Sequence, residues 1–493
     1  MFCLLLLVST VLMAQELPPI ITYQPIEYGA ENQNWSISQS NKDYIYVANN
    51  KGLLEFNGAK WQLYPTPNAS VLRSVKVVDN LIYTGCYMDF GYWKKNSLGT
   101  LDYTSISDNL NIPLVEDEQF WNILAIDQYV LFQSLDRIYI YDVLKQSYKT
   151  IASENTITKM FKVKDTVYYQ SFGEGLYKIE NGQSQRVIVD EIFKKNNIVN
   201  MYDHNDQLLI QTQEEGFYNW KDGQLKKWES SSKDLIDGLS VYNSIQLKDG
   251  NFVLGTISNG IFYLNSSGDL LYKIDQTDGL SNNTVLSLFE DSNSNVWLAL
   301  DNGINCINMK SALRIYNDED GDLGTVYTST LFEDNLYLGT NQGLFYKPIA
   351  SNARFKFIEG TKGQVWCLKN IGGTLFCGHN LGTFVVKNNQ AELIASIPGT
   401  WDVQASLEDE NRVLQGNYSG LHVLERQNGQ WTYKHKLEGF NISSRYFAIV
   451  DLSKILVSHE YKGVFEITTT SDWTQATSIT KDVSVKKVLA QVW

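Results

Sequence analysis

Three pairs of adjacent carboxylates are the first candidates for chemistry in this sequence. Glu290–Asp291, Glu333–Asp334 and Glu408–Asp409 each follow an apolar, strand-like run. Paired carboxylates act as acid, base or nucleophile in glycoside hydrolysis. A catalytic pair is expected once in a chain, whereas these three recur at a similar place in different segments. The recurrence therefore predicts hairpin turns and not an active site.

The stretch NDEDGDLG at 317–324 is the most similar to a metal-binding loop. Asp318, Asp320 and Asp322 alternate with other residues, as oxygen ligands do in calcium loops. Counted from Asp318, the position of the last EF-hand glutamate falls on Ser329, so that motif is absent. We therefore expect a solvated loop here, and neither a metal nor a cofactor in this protein.

The histidines also lack a pattern that would indicate catalysis. They are scattered over the chain as His204, His379, His422, His435 and His459. His379 and His459 follow strand-like runs at a similar position and could converge on a central channel, but structural or surface roles are expected. No HExxH, GxSxG or phosphate-binding glycine loop is present. We expect no catalytic residues and no enzymatic activity.

Five cysteines are too few for a disulfide scaffold, and none has zinc-ligand spacing. Cys367 and Cys377 flank the predicted hairpin WCLKNIGGTLFCG, which would set them opposite each other on neighbouring strands. Both a disulfide bridge and two buried free thiols agree with that arrangement.

Clustered aromatic side chains are the remaining candidates for binding. Tyr87, Phe90, Tyr92 and Trp93 crowd one segment, and Trp401 opens another. Aromatic platforms suit sugar rings, but aromatics also fill the interfaces between packed sheets, and the second role is expected. The sequence therefore assigns no ligand-binding residue.

These candidates are distributed over a repeat of about 41 residues. Each copy has an alternating apolar strand, a polar turn, a second strand, a small loop and an aromatic third strand. A glycine before the third strand marks the period, and glycine suits a tight connection because it adopts positive φ. In the eleven copies this position is Gly52, Gly91, Asp136, Gly175, Gly216, Gly260, Gly303, Gly343, Gly382, Gly420 and Gly463.

With an outer strand in the remaining residues, each unit holds four short strands and no helical periodicity, which is typical of a β-propeller blade. A lone four-stranded sheet exposes two apolar faces, and stacking blades around an axis buries both. We therefore predict an all-β fold of tandem β-propellers with four-stranded antiparallel blades of about 41 residues.

Charge and apolar segments limit the possible partners and the cellular location of the protein. The 493 residues carry a formal net charge of −14. This opposes binding to nucleic acid, which needs clustered Lys and Arg. The apolar run from Phe2 to Ala14 has the length of a signal-peptide core, so we predict a signal peptide at 1–14 and a periplasmic or secreted protein. No later apolar run is long enough to predict a membrane span.

The segment LSNNTVLSLFEDSNSNVWLALDNGINCIN, from Leu280 to Asn308, resembles the two-component regulator propeller repeat. Its marks are the Glu-Asp turn, Trp297 before a small-apolar stretch, and Asn-Gly before the next strand. The opening AENQNWSISQSNKDYIYVANNKGLLEFNG is similar to the N-terminal sensor regions of large Bacteroidetes-type envelope regulators. In those proteins, two propellers precede a triple-tyrosine β-sandwich, a membrane helix and a cytoplasmic output, which is a LuxR-like helix-turn-helix or a hybrid histidine kinase.

The resemblance implies a first, seven-bladed propeller at 15–310 and a second at 311–493 with four blades and part of a fifth. No triple-tyrosine, membrane, helix-turn-helix or kinase motif follows, so a truncated product without its output domain is expected. The implied function is periplasmic ligand sensing for signal transduction, by a region that forms a homodimer in the full-length family. The ligand stays open, a glycan or a peptide. The alternatives are a secreted propeller lyase or hydrolase acting on polysaccharide, and an envelope scaffold protein.

Overall fold

The computed structural model describes residues 16–316, 318, 321–349 and 353–482. The chain forms two compact units, Leu17–Ile315 and Tyr316–Trp493, the latter together with the N-terminal segment up to Glu16. The predicted signal peptide at 1–14 and the predicted part of a fifth blade at the C-terminal end lie outside the described residues. The all-β prediction is confirmed, since four-stranded antiparallel sheets build both units.

The first unit contains seven such sheets, which we number as blades 1 to 7. From the innermost strand outwards, blade 1 consists of Asn34–Gln39, Ile45–Asn49, Gly52–Phe56 and Trp61–Tyr64. Blade 2 consists of Leu72–Val78, Leu81–Cys86, Asp89–Lys95 and Leu101–Ser105. Blade 3 consists of Asn122–Ile126, Tyr129–Gln133, Arg137–Asp142 and Ser147–Ala152. Blade 4 consists of Ile157–Val163, Thr166–Ser171, Gly175–Glu180 and Gln183–Ile188. Blade 5 consists of Ile198–His204, Gln207–Thr212, Phe217–Lys221 and Gln224–Lys227. Blade 6 consists of Val241–Gln246, Phe252–Thr256, Ile261–Leu264 and Leu270–Ile274.

Blade 7 closes the ring with a strand from the other end of the unit. Its inner three strands are Val285–Glu290, Val296–Leu300 and Ile304–Ile307, and its outermost strand is Ile20–Tyr23, antiparallel to Ile304–Ile307. The inner strand of each blade contacts that of the next blade, and blade 7 contacts blade 1. Closure buries the apolar faces that a linear row of blades would leave exposed at its two ends.

Short helices occur only in the connections of the described chain. They are Pro25–Tyr28, Ile106–Asn109, Glu191–Lys195, Lys233–Asp237 and the 3-10 turn Gln276–Asp278. Among the residues described, no helix is both long and apolar enough to span a membrane.

The second unit contains four sheets, blades 8 to 11. From the innermost strand outwards, blade 8 consists of Val326–Phe332, Asn335–Thr340, Leu344–Pro348 and Lys356–Phe357, and blade 9 of Val365–Ile371, Thr374–His379, Gly382–Lys387 and Gln390–Ala395. Blade 10 consists of Asp402–Ala405, Arg412–Asn417, Gly420–Gln427 and Gln430–Lys436. Blade 11 consists of Tyr446–Asp451, Lys454–His459, Gly463–Thr469 and Ala476–Asp482. Consecutive blades contact one another through their inner strands. Two further short strands are Glu16–Leu17 and Ile315–Tyr316.

The glycine that marks the repeat has the structural role expected of it. Gly52 and Gly382 are each the first residue of a third strand, with φ of +139° and +148°. A Cβ atom on Gly52 would contact the carbonyl oxygen of Tyr64 on the outer strand. Close backbone approach and positive φ therefore both require glycine there.

The expectation that Cys367 and Cys377 lie opposite each other is wrong by one position. Cys377 pairs with Leu368, and Cys367 pairs with Gly378. The two-residue turn Gly372–Gly373 fixes this register, and successive side chains alternate between the faces of a sheet. The cysteines therefore belong to different core clusters, both are free and buried, and burial raises the pKa of both thiols.

Buried glutamines join neighbouring blades. Gln170 of blade 4 is fully buried, and its Nε2 donates to the carbonyls of Phe193 and Asn196 at 2.7 and 2.8 Å. Its Oε1 accepts from the backbone N–H of Ile198, the first residue of the blade 5 inner strand, at 2.7 Å.

We expect Gln170→Leu to lower the free energy of unfolding by about 2 kcal/mol, because it leaves buried backbone groups without partners. Gln185, exposed on the outer strand of the same blade, is the matched control, and Gln185→Leu is expected to change stability by less than about 0.5 kcal/mol. Urea denaturation of both variants measures the difference. Equal stability of the two variants would show that these inter-blade bonds contribute nothing.

Candidate functional site

Six of the seven innermost strands of the first propeller, all but that of blade 3, begin with an extra residue. Their pairing with the second strands shifts register between Asn34 and Ser36, between Leu72 and Ser74, and between Val241 and Asn243. Similar shifts occur in blades 4, 5 and 7. A β-bulge leaves one residue unpaired and redirects its side chain. The bulged residues are Trp35, Arg73, Thr158–Lys159, Val199, Tyr242 and Leu286.

These bulged residues line one cavity of about 400 Å³, which we call the channel cavity. All seven blades contribute to it, as expected for the end of a central channel surrounded by inner strands. Trp121, directly before the inner strand of blade 3, completes the set. Pockets of this size with a few converging polar groups are typical ligand sites.

Arg73 lies between two indole rings in the channel cavity. Its guanidinium carbon is 4.2 Å from the ring centre of Trp35 and 4.7 Å from that of Trp121. Arg73 Nε donates to Gln119 Oε1 at 3.0 Å, and Trp35 Nε1 donates to Asn50 Oδ1 at 2.7 Å. The guanidinium is thus held in place through one of its five N–H donors.

Lysines extend the positive charge along the channel. Lys159 lines the same cavity as Arg73, and burial lowers its pKa to about 8. Lys76 lies three residues further along the blade 2 inner strand, and burial, with a smaller effect of Lys162, lowers its pKa. Lys162 Nζ donates to the carbonyl of Ala125 at 2.9 Å.

Arg73 and Lys159, the two cations of the channel cavity, have no acidic counterpart among the described residues. Over the described part of the chain, no carboxylate forms an ion pair with Arg73, Lys76, Lys159 or Lys162, and none lines the channel cavity. Burying a charge without a partner costs free energy. In a chain of net charge −14, this channel is therefore a local site of positive potential.

A larger groove of about 710 Å³ lies between blades 3 and 4 but lacks this property. Its lining contains both carboxylates and lysines, and Lys178 Nζ lies 2.9 Å from Glu180 and Lys145 Nζ 3.8 Å from Asp142. We therefore place the candidate site in the channel cavity.

The second unit carries an aromatic row at the start of its inner strands, in which Tyr327 and Trp366 are bulged residues and Trp401 directly precedes a strand. The Tyr327 and Trp366 rings are 5.1 Å apart, and the Trp366 and Trp401 rings 4.6 Å apart. Arg445 lies 4.8 Å from the Trp401 ring centre, but its guanidinium is paired with Glu460 at 2.9 Å. The charge in this row is thus neutralised within the unit, unlike that of Arg73.

The predicted turn role of the carboxylate pairs is confirmed for Asp291 and Asp409. Asp291 is buried and accepts from the backbone N–H groups of Asn293 and Asn295 at 2.9 and 2.8 Å, and from Trp297 Nε1 at 2.9 Å. Asp409 likewise accepts from the N–H of Asn411 at 3.0 Å. These side chains stabilise hairpin turns, and neither lines the channel cavity.

The two similarly placed histidines also have structural roles. His379 Nδ1 accepts from the N–H of Leu381 at 3.0 Å, and His459 Nδ1 accepts from the N–H of Tyr461 at 3.1 Å. Both stabilise the loop before the third strand of their blades. His379 is fully buried, and burial lowers its pKa.

The aromatic cluster of blade 2 divides between core and surface. Phe90 and Trp93 are buried between blades, as predicted, whereas Tyr87 is 40% exposed and donates to Asp117. In the suspected calcium loop, Asp318 accepts from the N–H of Leu323 at 2.8 Å, and Asp320 lies outside the described residues.

Sequence reasoning missed the residues of the channel cavity. Trp35, Arg73, Trp121 and Tyr242 each lie at the start of a first strand, a place that carried no motif. In the eleven copies these residues precede the marker glycine, or Asp136, by 15 to 18 positions, so aligning the glycines does not place them in one column. The bulge that turns them into the channel is set by backbone pairing and has no sequence mark of its own.

One segment of the chain matches a known protein family. Residues 279–302 match the family model described as "Two component regulator propeller". The chain carries a two-component regulator propeller repeat. This match covers the Glu-Asp turn and Trp297, and it confirms the resemblance drawn from Leu280–Asn308.

Longer similarities extend the match beyond the regulator propeller repeat. Histidine kinase P4 of Formosa agariphila is 22% identical over 305 residues, which are 62% of this chain and 19% of that relative. The chain therefore spans about a fifth of the length of the curated relative that it matches.

Solved structures share the fold. The extracellular domain of a protein assigned as a hybrid two-component system in B. thetaiotaomicron superposes with a TM-score of 0.66 at 16% identity, covering 95% of this chain and 67% of that one. A second such extracellular domain from the same organism gives 0.48 at 15% identity with the same coverage. The first similarity confirms the β-propeller fold around the regulator propeller repeat.

Proposed function

We propose that this chain is the ligand-sensing propeller region of a membrane-spanning signal-transduction regulator. The channel cavity carries the proposal, because seven blades converge there on an arginine and a lysine that no carboxylate of the described chain neutralises. The regulator propeller repeat at 279–302 supports a signalling role. Ligand sensing, and an output domain of helix-turn-helix or kinase type, belong to this proposal.

The proposed location is outside the cytoplasm. The apolar run from Phe2 to Ala14 supports export. The B. thetaiotaomicron protein that shares the fold with a TM-score of 0.66 is an extracellular domain, which agrees with a periplasmic input region.

A ligand in the channel cavity would contact the inner strands of several blades at once. Because the closed ring is rigid, we expect ligand binding to change how the ring packs against its partner and not to unfold part of the ring. We propose that the full-length regulator is a homodimer and that the ligand shifts its packing.

The cavity supports binding without catalysis. Its lining in the described residues includes no carboxylate, cysteine or histidine that could serve as acid, base or nucleophile. We propose that the channel cavity is a binding site and that the chain is not an enzyme.

Thermal unfolding of the purified chain with pools of envelope glycans and peptides tests the proposed function. A ligand that binds the native state only is expected to raise Tm by several degrees at saturating concentration. The variant Tyr242→Ala, which removes part of the cavity wall, should lose this response, and Tyr129→Ala, outside the channel cavity, should keep it. Turnover of a glycan by the purified chain, or no response to any pool, would contradict the proposal.

A further inference from the structure

The channel cavity has a chemical preference that its residues specify, and this inference rests on the proposed function. Arg73 and Lys159 are its two cations, and its polar remainder consists of neutral amides and hydroxyls such as Asn122 and Gln133. Such a cavity favours a negatively charged guest over a neutral one.

Arg73 is prepared for a ligand. The rings of Trp35 and Trp121 cross at 81° with their centres 5.9 Å apart, and both contact its guanidinium. The only hydrogen bond of its guanidinium to the described protein uses Nε, so the terminal N–H groups are free to bind a planar anionic group with two hydrogen bonds.

Lys159 supplies a second, separate contact. Its ammonium forms neither a hydrogen bond nor an ion pair within the described chain, and the side chain is partly buried in the cavity wall. An unpartnered cation in this position is a cost to folding, which a bound anion would offset.

We propose that the channel cavity binds a small organic anion, whose carboxylate, sulfate or phosphate group is held by Arg73 and Lys159. The aromatic walls of Trp35, Trp121 and Tyr242 contact its apolar face.

Titration of the purified full chain with glucuronate, inorganic sulfate and neutral glucose tests this preference. Calorimetry measures affinity, and tryptophan fluorescence reports on the indoles beside Arg73. We expect glucuronate or sulfate to bind with 1:1 stoichiometry, glucose to fail, and added salt to weaken the binding. Whichever anion binds more tightly distinguishes a carboxylate ligand from a sulfate ligand.

The variants R73Q and K159M should each weaken anion binding about tenfold or more, because each removes a charge-assisted contact. R186Q removes an equal charge from the exposed outer strand of blade 4 and should bind like the wild type. Two variants guard against a folding defect in one of them. Unchanged affinity in folded R73Q and K159M would overturn the proposal.

Failure of all the anions would also overturn it. If a neutral glycan or peptide still raises Tm in the ligand screen, sensing stands and only the anionic preference is lost. If nothing binds in either experiment, the proposed function fails as well.

Discussion

Replacing Tyr23 with alanine is expected to lower the free energy of unfolding of the first propeller by about 3 kcal/mol. Tyr23 ends the N-terminal strand that completes blade 7. Its ring stacks on Trp297 of that blade with centres 5.8 Å apart, and lies 5.3 Å from both Phe56 and Trp61 of blade 1. The substitution therefore removes the aromatic contact that joins the two ends of the ring.

Ile21 on the same strand is the matched control. Its side chain is 53% exposed, so Ile21→Ala should change stability by less than about 0.5 kcal/mol while leaving the backbone pairing intact. Chemical denaturation followed by tryptophan fluorescence measures both. A loss in Tyr23→Ala no greater than in Ile21→Ala would show that the aromatic joint does not stabilise ring closure.

The aromatic contacts of Tyr23 should also affect ligand affinity, because the two blades that they join, 1 and 7, both line the channel cavity. Trp35 comes from blade 1 and Leu286 from blade 7. If Tyr23→Ala loosens the joint, the affinity for an anion should fall together with stability. Ile21→Ala should keep both properties.

The blade architecture was predictable because it repeats. A single strand-like run is a weak indication, but eleven copies aligned on glycines such as Gly52 and Gly382 fix the period and the blade type. The physical constraint is local, since positive φ and a nearby carbonyl oxygen exclude a side chain at Gly52 and Gly382. Local constraints of this kind are visible in sequence.

Ring closure and the candidate site were not predictable in the same way. Ile20–Tyr23 pairs with Ile304–Ile307, which lies at the far end of the unit, and only the closed ring brings the two together. The position of Arg73 between Trp35 and Trp121 likewise depends on three blades and on bulges that pairing creates. The register of Cys367 and Cys377 shows the same limit at short range, since one residue decides the face.

Replacing Lys159 with methionine is expected to stabilise the first propeller, by about 2 kcal/mol at pH 7. The ammonium of Lys159 has no carboxylate partner in the described chain, and burial lowers its pKa from the ordinary 10.5 to about 8. Methionine replaces the apolar stem of the side chain and removes the buried charge. A site selected for binding commonly costs stability, so the same variant should bind anions more weakly.

The dependence on pH separates charge burial from packing. Below pH 8 Lys159 is charged in the native and unfolded states, and the full cost of burying the charge is present. Between pH 8 and 10.5 the native protein releases the proton first, so the wild type gains stability relative to K159M. Above 10.5 both states are neutral and the charge term vanishes, so denaturation series at pH 7 and 10 should show the gap narrowing. Lys51→Met, at an exposed position, should change stability by less than about 0.5 kcal/mol at either pH. A gap that stays constant with pH would show that packing, and not the buried charge, sets the stability of K159M.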